Sequence, residues 1–79
     1  MLTSELAQSI KAALESSPRN SYVGELHLQI IKYFDQLKAV SGKEFCEEVG
    51  IPRAYGSEFS KMIKIAPRLL AAGLDPSKI

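Results

Sequence analysis

The segment that most limits what this chain can become is Ser41 to Ala66, SGKEFCEEVGIPRAYGSEFSKMIKIA, because its punctuation brackets a very short helix. Ser41 and Glu44 stand as Ser-x-x-Glu, the capping box in which the serine side chain accepts a backbone N–H of the first turn and the glutamate reaches back. Gly50 has no Cβ and is free to take the left-handed conformation that closes a helix. Pro52 has no N–H to lose and suits the first turn of the helix that follows. The segment therefore reads as two helices, the first over about 42 to 49, joined by a Gly-Ile-Pro turn. A helix this short is not stable by itself, so the remaining chain must pack against it.

That remaining chain carries helical spacing as well. Leu2, Leu6, Ile10, Ala13 and Leu14 fall on one face of a helix over about residues 4 to 16, with Thr3 or Ser4 as N-cap and a break at Ser16-Ser17-Pro18-Arg19-Asn20. Ser21 is placed to cap a second helix whose Val23, Leu26, Ile30, Tyr33, Phe34 and Leu37 share a broad stripe. Phe45, Cys46 and Val49 point inward from the short third helix, and Ile51 fills the core beyond the turn. Pro67 is expected to end the fourth helix and start a fifth, Pro67 to Ala72, closed by Gly73, with Leu74 tucked into the core. Asp75-Pro76-Ser77 reads as the capped start of a last turn. No segment of four or more residues alternates apolar and polar between turn residues, so no strand is expected. The expected fold is all-α, a compact bundle of four to five short helices containing a helix-turn-helix, in one domain over residues 1–79.

Composition removes several function classes. The 46% apolar residues are spread along the chain rather than gathered in a run that could span a bilayer. The N-terminus lacks a cationic start followed by a long apolar block and carries acids, unlike a secretory or transit segment. A lone cysteine, Cys46, cannot staple the chain, which points to a reducing, cytoplasmic location. Glycine-rich phosphate loop, nucleophile elbow and metal-ligand spacing are all missing, so no catalytic residue, cofactor, metal or small-molecule substrate is expected. His27 stands beside Leu26 and Ile30 without a second ligand nearby and reads as a structural histidine.

Charge distribution is more informative than the net +1. Between Arg53 and Arg68 there are four cations, Arg53, Lys61, Lys64 and Arg68, against the single acid Glu58. At roughly 100° per residue, Tyr55, Phe59, Met62, Ile63 and Ala66 gather on one side of this helix and Arg53, Ser57, Lys61 and Lys64 on the other. An apolar back that fixes the helix and a front of short polar and long cationic side chains is what a helix needs in order to read a DNA major groove. Arg53 and Ser57 would face base edges or phosphates and Lys61 and Lys64 phosphates, with Ser60 on the same inserted helix and Arg68 as a fourth cation for DNA binding. Two readings of the turn remain open: a short one from Gly50 to Pro52, or one extended to Gly56 with Ser57 as the N-cap of the second helix. A mid-helix glycine costs about 1 kcal/mol, which favours the longer turn.

The apolar, small, apolar, Gly, apolar series Phe45, Cys46, Val49, Gly50 and Ile51 resembles the helix-turn-helix of small bacterial and phage transcription regulators. The surrounding chain, including EFSKM, is similar to short bacterial proteins described as having a helix-turn-helix-like domain. The resemblance implies a non-enzymatic protein that binds duplex DNA and regulates transcription, and the small number of cations implies a homodimer. The alternative is a helical protein-interaction module, homodimer or partner adaptor, using apolar residues such as Leu28, off the main stripe of the second helix, and Ile31, at its edge.

Overall fold

A computed structural model describes residues 2–79. Helix α1 spans Ser4–Ser16, and Thr3 caps it, its Oγ1 accepting the Leu6 N–H at 3.1 Å. Ile10 and Leu14 are buried from this helix. Pro18 then opens a 3-10 turn, Arg19–Ser21, that runs directly into α2, Tyr22–Lys32. Ser21 makes no side-chain cap bond, contrary to expectation. Its N–H instead bonds to the Pro18 carbonyl at 2.9 Å. A 3-10 turn ahead of the helix supplies backbone carbonyls to the first-turn N–H groups, so a side-chain acceptor is unnecessary.

The long stripe expected from Val23 to Leu37 is divided. At Tyr33 the backbone departs from helical geometry (φ -106°, ψ 25°), and a four-residue α3, Phe34–Leu37, follows. Leu26, Ile30 and Leu37 are fully buried, whereas Val23 is exposed and Tyr22 takes its place in packing on the core. Val23 sits at the edge of the stripe in the first turn of α2, where a small displacement around the helix decides between core and solvent.

Helix α4 occupies Gly42–Val49 as expected. Ser41 Oγ accepts the Glu44 N–H at 3.1 Å, and Gly50 takes the left-handed conformation, φ 82°. The N–H groups of Gly50 and Ile51 both bond to the Cys46 carbonyl, which satisfies an acceptor the helix end would leave free. A second 3-10 turn, Arg53–Tyr55, leads into α5, Gly56–Ala71, and a third, Pro76–Lys78, closes the chain. Among the described residues there are five α-helices and no strand.

One cluster joins all five helices: Ile10 and Leu14 from α1, Leu26 and Ile30 from α2, Leu37 from α3, Phe45 and Cys46 from α4, and Phe59 from α5. At its centre the rings of Phe45 and Phe59 stack with centroids 4.5 Å apart. That stack ties α4 to α5, the two helices of the pair read from the sequence, and burying two aromatic rings together fixes their relative orientation.

Candidate nucleic-acid interface

The link from α4 to α5 combines features of the two expected turns. After Gly50 the buried Ile51 returns to the core, Pro52 adopts an extended backbone, and the 3-10 turn Arg53–Tyr55 passes without interruption into α5 at Gly56. Ser57 is therefore not an N-cap. It lies inside the helix, its Oγ donating to the Ala54 carbonyl at 3.2 Å. Helical backbone begins at Arg53 in 3-10 form and becomes α-helical at Gly56, so each reading of the turn holds for part of it. From outside the pair, the Lys11 ammonium of α1 donates to the Gly50 carbonyl at 2.9 Å, a cation at the end of α4 where the helix dipole favours one.

Helix α5 turns Phe59 and Ala66 fully inward, with Tyr55, Met62 and Ile63 half-buried around them. Arg53, Ser57, Ser60, Lys61, Lys64 and Arg68 are all exposed. The expected break at Pro67 does not occur: α5 continues through it to Ala71, and the separate fifth helix from Pro67 to Ala72 is not formed. Pro67 lies on the exposed side, so its ring projects away from the core and the loss is confined to one backbone hydrogen bond while packing of Ala66 holds the helix. Continuity matters for the cationic face. Arg68 stays in register seven residues after Lys61, pointing in nearly the same direction and about 10 Å further along the axis. Gly73, φ 111°, then ends the helix as expected. Leu74 remains exposed instead of entering the core, because the bond from its N–H to the Leu69 carbonyl closes the chain back along α5 itself.

One acid interrupts the cationic face. Glu58 sits in the first turn of α5, and its two carboxylate oxygens have different partners: Oε1 is 2.8 Å from His27 Nε2 on α2, and Oε2 is 3.4 Å from Lys61 Nζ. Because an ionised carboxylate only accepts, His27 must carry its proton on Nε2. The hydrogen bond from His27, and then that from Lys61, hold the Glu58 carboxyl below its ordinary range. The structural role expected for His27 is thus a specific one, clamping α2 to the start of α5. No sequence signal pairs residues on helices whose contact is set only by the fold.

Cys46 is fully buried, and burial pushes its thiol up, only partly opposed by the charge of Arg53. A thiol in that state is a packing residue rather than a nucleophile. Of the two apolar residues expected at the surface of α2, Leu28 is exposed and Ile31 is buried. Further exposed apolar side chains are Ile65 and Leu69, on the flank of α5 next to Lys61 and Arg68 rather than among them. An open groove lined by Ala7, Lys11 and Glu15 of α1 and by Glu48 and Val49 of α4 includes no residue of α5. Among the described residues, no helix is long and apolar enough to cross a membrane, and no group of three or more His, Cys, Asp and Glu could hold a metal ion.

Comparison with curated proteins and with solved structures gives no match. The model of the family described as an HTH-like domain matches residues 2–72, a span that runs from the first buried leucine through the whole of α5. This chain therefore belongs to the HTH-like domain family.

Proposed function

We propose that this protein binds duplex DNA by inserting α5 into the major groove, and that it does so as a cytoplasmic regulator of transcription. The observation that carries the reading is the two-sided character of α5, with Phe59 and Ala66 locked into the core and Arg53, Ser57, Ser60, Lys61, Lys64 and Arg68 exposed on the outer side. Arg53 and Ser57, at the start of the helix, are suited to base edges or phosphates, and Ser60 to contacts along one wall of the groove. Lys61, Lys64 and Arg68 are suited to phosphates. Glu47 and Glu48, exposed on α4, would be repelled by phosphate, so α4 faces away from DNA or crosses it only at its N-terminus. With so few cations a monomer binds weakly and with strong salt dependence. A homodimer on two half-sites doubles the contacts, and exposed Leu28, Ile65 and Leu69 are available for a seam.

The double variant Lys61→Glu with Lys64→Glu tests the reading. Both side chains are exposed, so helical content by circular dichroism should stay as in the wild type while affinity for duplex DNA, read by fluorescence anisotropy, falls by about a hundredfold or more on reversing two phosphate contacts. Unchanged affinity would reject the site. A second reading, a helical protein-interaction module, is favoured by Ile65 and Leu69 lying beside the lysines on the same helix. Replacing both with Ser should leave DNA affinity per protomer unchanged if they serve only a seam, and abolish partner binding if they are the site.

A further inference from the structure

The carboxylate of Glu58 is shared between the core and the outer face of α5. One oxygen takes the Nε2–H of His27 at 2.8 Å, and the other faces Lys61 Nζ at 3.4 Å. His27 and Glu58 are each about a quarter to a third exposed at the side chain, 30% and 26%, while Lys61 is 65% exposed, so the series runs from a half-buried imidazole to a cation at the surface. With Nε2–H committed to the carboxylate, the neutral imidazole keeps Nδ1 free to accept a proton. The other charged groups of α2 are Glu25 and Lys32, and those of the elements packed against it are Glu5, Lys11 and Glu15 of α1, Arg19 of the first 3-10 turn, Asp35 of α3, Lys64 and Arg68 of α5 and Lys78 of the last turn. None of them forms an ion pair with His27 among the described residues, so the charge that His27 meets is that of Glu58, with Lys61 behind it.

Resting on duplex DNA as the ligand of α5, we infer that His27 is a positioning residue that tunes the charge of the DNA-binding face: a proton taken up at its Nδ1 neutralises the hold of Glu58 on Lys61 and strengthens phosphate binding as pH falls. The balance is simple. With imidazole neutral, His27, Glu58 and Lys61 sum to zero, and Lys61 is partly spent on Glu58. With imidazolium, the trio is a net single positive charge, Glu58 has a full counter-charge on its inner oxygen, and Lys61 is released toward a phosphate. Because the extra charge lies on α2 behind the helix rather than in the groove, it acts through Glu58 and touches no base. The effect is therefore on affinity at every sequence alike.

The test is a fluorescence-anisotropy titration of a labelled random-sequence duplex at constant ionic strength, at about pH 5.5 and about pH 8, the interval over which an imidazole changes charge. The wild type is expected to bind on the order of two- to fivefold more tightly at the lower pH, the effect of one added charge at a partly screened distance of several ångströms. His27→Gln, which keeps a donor toward Glu58 but cannot take up a proton, should bind equally at both pH values. Glu58→Gln, which frees Lys61 permanently, should bind at the higher pH about as tightly as the wild type does at the lower. A wild type that binds with no pH dependence, or with a dependence that His27→Gln retains, overturns the role of His27 and leaves DNA binding standing. Absence of binding by the wild type at both pH values overturns the DNA reading and this role with it. Circular dichroism at each pH confirms that every variant is folded, and should His27→Gln fail to fold, a Glu58→Gln variant that keeps the wild-type pH dependence overturns the role of His27, since that role acts through Glu58.

Discussion

Gly42 carries a constraint that most residues of α4 do not. A Cβ built there would lie 3.0 Å from the Gly56 carbonyl oxygen and 3.3 Å from the Gly56 Cα, backbone atoms that cannot swing aside. The reverse is not true: a Cβ on Gly56 meets the Gly42 backbone at 3.8 Å, an ordinary contact. Gly42→Ala should therefore force α4 and α5 apart and lower stability by about 1–3 kcal/mol, the usual cost of overpacking. Gly56→Ala should be neutral or raise stability by up to about 1 kcal/mol through helix propensity. Thermal melts of the two variants, both expected to keep helical circular dichroism, decide the point, and equal shifts would mean that the helices do not approach so closely. The left-handed role of Gly50 was legible from its place between a short apolar helix and Pro52. That of Gly42 was not, because the atom it avoids belongs to a residue fourteen positions away.

At the scale of elements, α2 and α5 begin in the same way. Each is preceded by a Pro-Arg pair, Pro18-Arg19 and Pro52-Arg53, with an extended proline followed by a 3-10 turn that leads into the helix. The two starts are brought together by Tyr22 and Tyr55, whose ring centroids are 5.6 Å apart. Ser21 and Ser57 carry good side-chain acceptors for a cap, but a helix entered through a 3-10 turn already has backbone carbonyls in place. Pro67 teaches the complementary point. A proline inside a helix costs about 3 kcal/mol through a lost hydrogen bond and a steric clash, which was the reason to expect a break. In the fold, buried Ala66 on one side and half-buried Leu70 on the other hold the segment helical. Pro67→Ala should then restore the N–H to the Ile63 carbonyl and raise stability by about 1–3 kcal/mol, less whatever the proline gained by stiffening the unfolded chain. A melting temperature that fell instead would show that the ring itself is packed.

For the molecule as a whole, two carboxyls tie stability to acidity. Glu58 is held below its ordinary range by His27 and Lys61, and Asp75 by the Ser77 hydroxyl at 2.7 Å and the Ser77 N–H at 3.0 Å. A carboxyl depressed in the folded state stabilises the fold above its unfolded value and loses that contribution as pH falls through the folded one. The contribution of these two carboxyls should accordingly be level from neutrality down to about pH 4.5 and be lost below it, read as a urea midpoint that falls in the acid range. Ser77→Ala, which removes the hydroxyl but keeps the backbone donor, should shrink the decline, and Glu58→Gln should shrink it further. A variant midpoint that tracked the wild type through the acid range would assign the loss to other groups.

The caps, the turn glycine and the period of the apolar residues determined by themselves that this chain is all-α, where α1 and α4 begin and end, and that Phe45, Cys46, Ile51 and Phe59 are core, since each of those follows from local backbone chemistry or from which face of a helix is apolar. The outward residues Arg53, Ser57, Lys61 and Lys64 follow from the same wheel. Only the tertiary structure decided that α5 runs unbroken past Pro67, which keeps Arg68 in line with Lys61, and that Leu74 and Val23 stay outside. It alone joined His27 to Glu58 and set Gly42 against Gly56. The physical reason is common to all of these: each depends on how one helix lies against another, and packing energy between distant residues outweighs the propensity of any single one.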